Sequence, residues 1–191
     1  MRIFVSVLLA ASLAACSAPG PREADRYFLL DAGAAPNAAQ RPGPALAVAP
    51  TTASSFYDTQ DIAYSRSPGT RGYYQFNHWT ERPQRSIHRQ LAMRLEGTGA
   101  KGALRLNTQL EEIYHDATVQ PGTAHITIRA ELVKAADGTV VARRTFTRSS
   151  PAASYDAPGA VRGFNQALAA LLGEIAAWVD AAPRRTTAPA A

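Results

Sequence analysis

The chain is poor in the groups that most enzymes need. It has one cysteine, Cys16, in 191 residues, so no disulfide within the chain and no thiol pair is available. Its four histidines, His78, His88, His115 and His125, show no HExxH spacing and have no nearby cysteine, which argues against a zinc site and favours surface or strand-edge positions. There is no GxSxG elbow among the serines. After the first residues no apolar run is long enough to cross a bilayer. Charge of neither sign dominates: 20 basic and 15 acidic residues give a formal net charge of +5. That excess suits a solubilising surface, with weak attraction to anionic head groups as the sharper alternative. With no basic–aromatic groove motif, a nucleic-acid partner is not expected.

What is present begins at the N-terminus. Arg2 precedes an apolar run, Ile3 to Leu13, of signal-peptide length. It ends in Leu13-Ala14-Ala15-Cys16, which looks like a lipobox, with small residues before a cysteine that would carry a diacylglycerol and a further acyl chain. Each buried methylene contributes roughly 0.8 kcal/mol, and two or more chains anchor stably. The competing reading is a secreted protein with a stray cysteine. Ser17 follows where Asp would signal inner-membrane retention, which favours the outer membrane. The expected organisation is a signal peptide over 1–15, a lipidated cysteine and tether over 16–25, one domain over 26–182 and a disordered tail over 183–191. Ser17 to Asp25 contains Pro19 and Pro21 and has a reach of roughly 30 Å.

Within the domain, Arg26 to Ala32 and Ala45 to Ala49 read as short strands. Ile62 to Ser65 and Tyr73 to Asn77 flank Ser67-Pro68-Gly69 and read as a hairpin. A helix begins near Thr80, a plausible N-cap, with Ile87, Leu91 and Leu95 as its core stripe. Alternation predicts strands over Ala103 to Glu112, Ala124 to Val133 and Thr139 to Arg148, with a turn at Ala136-Asp137-Gly138. A second helix runs from about Pro158 to Asp180, capped near Asp156 or Ala157. The fold class expected is α+β, a two-layer sandwich with a mixed, mostly antiparallel sheet of five to six strands and two amphipathic helices on one face.

The order of several short motifs resembles the auxiliary lipoproteins that accompany ABC transporters of the Mce type, including the lipoprotein of the paraquat-inducible system. These motifs are Tyr27-Phe28-Leu29-Leu30, Val48-Ala49-Pro50, Asp61-Ile62-Ala63-Tyr64-Ser65-Arg66 and Tyr74-Gln75-Phe76-Asn77-His78-Trp79. The segment Ser54-Ser55-Phe56-Tyr57 departs from the family pattern, so no contacts are carried over there. The resemblance implies a part in moving lipid or another hydrophobic substrate between inner and outer membranes. An Mce-domain protein and an ABC permease and ATPase would be its partners. Two other readings stay open: a periplasmic carrier that binds phospholipid itself, and a structural envelope-assembly lipoprotein. Self-assembly into a homo-oligomer would suit a docking role.

The chemistry along the domain points to contact rather than catalysis. Gly97-Thr98-Gly99-Ala100-Lys101-Gly102 matches GxGxxG, but a helix precedes it and a strand follows, the reverse of a dinucleotide site. Glu111 and Glu112 are adjacent on a strand, so alternation should send them to opposite faces. No cofactor is implied. Seven of the fifteen aromatics fall between Phe56 and Trp79. Half should be core; of the rest, Tyr64, Tyr73, Tyr74, Phe76 and Trp79 are candidates for partner or lipid contact. Arg82, Arg85 and Arg89 lie within about 60° on the first helix. They form a solvated face or a contact for an anionic partner.

Overall fold

A computed structural model describes residues 23–34, 46–96 and 104–182. The proposed signal peptide, Cys16, the Gly97–Gly102 motif and the 183–191 tail lie outside the described residues. The elements in chain order are β1 (Arg26–Phe28), β2 (Leu46–Val48), β3 (Thr52–Ala53), a 3₁₀ turn (Ser55–Tyr57), β4 (Asp61–Ser65) and β5 (Gly72–Trp79). Helix α1 (Pro83–Leu95), β6 (Leu104–Asp116), β7 (Thr123–Lys134), β8 (Val140–Pro151) and α2 (Ala157–Ala181) follow.

One eight-stranded sheet runs β1-β5-β4-β6-β7-β8, with β2 and β3 also on β6. The long ladders, β6 on β7 and β7 on β8, are antiparallel. The other edge of β6 takes β2, β3 and β4 one after another, all parallel to it. The sheet is therefore about six strands wide, as alternation implied, and the higher count comes from short segments sharing one row.

Alternation on β7 sends Ala124, Ile126, Ile128, Ala130 and Leu132 inward, all fully buried. They meet the 3.6-residue stripe of α2, where Phe164, Leu168, Leu171, Leu172 and Ile175 are also fully buried. Ile87, Leu91 and Leu95 of α1 join the same core. The opposite face of the sheet carries ion pairs and threonines, including Arg143–Glu131 at 2.7 Å and Thr127–Thr147 at 3.1 Å. This is a two-layer α+β sandwich with one wet face.

Several boundaries differ from the sequence reading. β1 stops at Phe28 because side chains take over the following backbone. Ser86 Oγ and Gln90 Nε2 donate to the Leu30 carbonyl at 2.6 and 2.9 Å, and the Ala32 amide donates to Gln90 Oε1 at 2.8 Å. Helix α1 starts at Pro83, not Thr80. A residue before proline is driven out of the helical region, and Arg82 sits at φ −58°, ψ 133°, while the Thr80 amide still bonds Phe28 of β1. Asp156 caps α2 as expected, accepting from the Gly159 amide at 2.8 Å. At the β7–β8 turn, Gly138 has φ +72° and Asp137 Oδ1 accepts from the Thr139 amide at 2.9 Å.

The adjacent glutamates are a correction. A register shift between Leu110 and Glu112 puts a bulge at Glu111, which breaks the alternation. Both carboxylates consequently meet the same face of β7: Glu111 approaches Arg129 at 3.6 Å and Glu112 approaches His125 at 3.4 Å. Each has its own cationic or imidazole neighbour.

Candidate functional site

The β4–β5 hairpin is built by its turn. Ser65 Oγ and Thr70 Oγ1 both donate to the Ser67 carbonyl, at 2.9 and 2.8 Å, and Gly69 takes φ +74°. Beyond the turn Tyr64 pairs with Gly72 and Ala63 with Tyr73, but the next pair is Asp61 with His78. Ile62 alone therefore lies opposite Tyr74, Gln75, Phe76 and Asn77. The ladder opens within the aromatic motif, and bulges of this kind re-aim side chains.

The aromatics consequently separate. Tyr73, 38% exposed, stacks on Phe56 with centroids 4.6 Å apart and donates its hydroxyl to the Phe56 carbonyl at 2.7 Å. Tyr64 and Tyr74 are half-buried and 4.9 Å apart, with Arg66 4.7 Å from the Tyr64 ring centre. Phe76 is half-buried. Trp79 is only 1% exposed and meets Phe164 edge-on at 5.5 Å. It is a core residue, which removes it from the candidate contacts.

Beneath this hairpin is a histidine–tyrosine pair that the sequence did not reveal. His115 is fully buried, contrary to the surface position expected of the histidines. Its Nε2 lies 2.9 Å from the Pro121 carbonyl, which can only accept, so Nε2 carries the proton. Nδ1 then accepts from the Tyr74 hydroxyl at 2.7 Å. Burial lowers the His115 pKa and pushes that of Tyr74 up to about 12. Strand alternation resumes out of phase after the Glu111 bulge, which turns His115 inward.

On the wet face, Arg71 is a second cluster missed at sequence level. Its guanidinium lies 3.6 Å from the Tyr114 ring centre, its Nε donates to the Tyr57 hydroxyl at 3.1 Å, and Glu112 is 3.4 Å away. Only the pairing of the hairpin against β6 brings these distant residues together. Spacing carries no trace of it.

The three arginines are not equivalent. Arg82, the N-cap residue of α1, pairs with Asp58 at 2.9 Å, and Arg89 pairs with Glu81 at 2.5 Å. Arg85 is exposed and makes no ion pair among the described residues. Exposed pairs of this type contribute about 0–1 kcal/mol, so the arginines remain available to a partner. Among the described residues no group of three or more His, Cys, Asp or Glu is placed to hold a metal ion, and no helix is long and apolar enough to cross a membrane. The surface offers aromatic faces, hydroxyls and guanidinium groups, the chemistry of recognition.

A model of the ABC-type transport auxiliary lipoprotein component matches residues 27–176. The chain belongs to this family. The ABC-type transport auxiliary lipoprotein fold also recurs in solved structures. A Xanthomonas campestris protein of the DUF330 family superposes with a TM-score of 0.72 at 24% identity, covering 81% of this chain and 94% of that one. An uncharacterised protein superposes with a TM-score of 0.65 at 15% identity, over 82% and 99% of the two chains. At these identities the likeness concerns the fold. No curated protein sequence matches the chain.

Proposed function

We propose that the protein is a non-enzymatic lipoprotein held on the periplasmic face of the outer membrane. There it docks the far end of an Mce-type ABC transporter that moves lipids or other hydrophobic substrates between inner and outer membranes. The observation that carries this reading is a transport-auxiliary family match over 27–176 in a chain whose sole cysteine ends Leu13-Ala14-Ala15-Cys16. Tyr64, Tyr73, Tyr74 and Phe76, with Arg82, Arg85 and Arg89, are the proposed contacts for the transporter or for lipid.

The carrier reading needs an apolar cavity of ligand size, and native mass spectrometry showing no co-purified lipid would remove it. The recess lined by Leu29, Leu30, Asp31, Arg89, Gln90 and Met93 holds about 210 Å³. Ligand pockets occupy roughly 300–1,000 Å³. A docking body needs no such volume.

The test is purification from envelope membranes through a C-terminal tag. An Mce-domain protein should co-elute, and Tyr73→Asp should reduce its recovery several-fold. The mass of the purified material reads self-association at the same time. Failure to recover any Mce-domain protein from wild type would count decisively against the proposal.

A further inference from the structure

Among the exposed large apolar side chains, two meet near where the proposed tether joins the fold: Leu29 at 63% exposure and Met93 at 56%. Leu29 and Met93 line one recess with Arg89, Gln90 and Asp31. The backbone displaying Leu29 is fixed, because Ser86 and Gln90 hold the Leu30 carbonyl and Arg94 donates to the Gly33 carbonyl at 3.2 Å. On α1, Arg85, Arg89 and Met93 follow at four-residue steps and all are exposed.

An apolar centre beside long guanidinium side chains suits a bilayer surface. The apolar tips enter the acyl boundary while the arginine stems lie along it and their heads reach phosphate. We infer that the Leu29–Met93 recess and the Arg85–Arg89 stripe form the face laid against the anionic bilayer that holds the protein's own acyl chains. This rests on lipidation at Cys16. From Cys16 to Glu23 the chain advances seven residues, a reach of about 23 Å, so this face stays close to the anchor. Asp31 and Glu81 nearly balance the local arginines, and the contact is weak by itself. Tethering makes it effective, since a short linker gives a local concentration on the order of millimolar. The docked face then leaves the wet side of the sheet free for a protein partner.

The test uses lipidated protein in phosphatidylethanolamine–phosphatidylglycerol vesicles containing a doxyl-lipid quencher. Cys16 is the only native cysteine. Once it is acylated, Met93→Cys offers one free thiol for a fluorophore, and Thr145→Cys on the exposed side of β8 serves as the comparison. The label at 93 should be quenched at least twofold more than the label at 145. Adding Leu29→Asp should bring the two together. Equal quenching in protein that floats with the vesicles overturns the inference while leaving the anchor intact, as would a label at 93 shielded by a second copy of the chain. Protein that does not float overturns the lipidation reading and this inference with it.

Discussion

Trp79 and His115 show how residues within one aromatic segment and its surroundings divide between stability and surface. Trp79 closes the end of β5 against Phe164 of α2 and is almost wholly shielded from water. Trp79→Ala should cost about 3–5 kcal/mol, read by denaturant unfolding, whereas Tyr73→Ala at the exposed stack should cost far less. His115 has a pH signature. Its folded pKa lies below the ordinary value of 6.5 because burial disfavours the cation. Above that value the imidazole is neutral in both folded and unfolded chains. As pH falls through it, the unfolded chain binds a proton that the folded chain refuses, and stability is lost until the lower folded pKa is passed. Thermal midpoints of wild type and His115→Gln, compared across this range, should converge on acidification. The other histidines are common to both proteins and cancel. Parallel curves would remove His115 from the acid response.

At the scale of elements, regular periodicity was legible and interruptions were not. Helix α2 and strand β7 announce themselves because their apolar residues recur without a break against a single partner layer. β3 is two residues long, and no sequence pattern can distinguish so short a strand from a turn. The Glu111 bulge and the opened ladder of Tyr74–Asn77 reverse or suspend alternation, so the facing of Glu111, Glu112, His115 and Phe76 depended on pairing that only tertiary structure supplies. The exposure of Arg85 agrees with the solvated helix face read from its spacing. The Arg71–Tyr57–Tyr114 cluster did not follow from spacing, because its members are joined across strands. β8 presents a further case. It is twelve residues long and forms an edge of the sheet. Arg144 and Arg148 share register positions with the inward residues Ala130 and Ile126. Arg148 pairs with Glu174 of α2, and Arg144 lies 4.9 Å from the Phe146 ring centre. Charges directed toward the core side of an edge strand discourage edge-to-edge pairing. Replacing both with valine should therefore promote concentration-dependent association, seen by light scattering, at little cost in secondary structure by circular dichroism.

For the molecule as a whole, the matched family domain, 27–176, contains nearly the entire described core, so folding and anchoring are separable. On the proposed lipidation at Cys16, the lipid would determine where this body works rather than how it folds. Cys16→Ser should thus move the protein from the membrane fraction to the soluble periplasmic fraction while leaving its thermal midpoint within about 1 °C, because the described core is built from Leu30 onward. Tether length separates docking at the bilayer surface, which the inferred membrane face implies, from docking at a distance from it. With about 3.3 Å of reach per residue, deleting residues 18–22 withdraws roughly 16 Å from the tether. A body that bridges toward a transporter would lose co-purified Mce-domain protein on this deletion, although it stays lipidated and folded. A body that acts only at its own bilayer surface would be indifferent to it. Membrane fractionation, thermal melting and partner recovery measured on the same shortened protein separate anchoring, folding and reach.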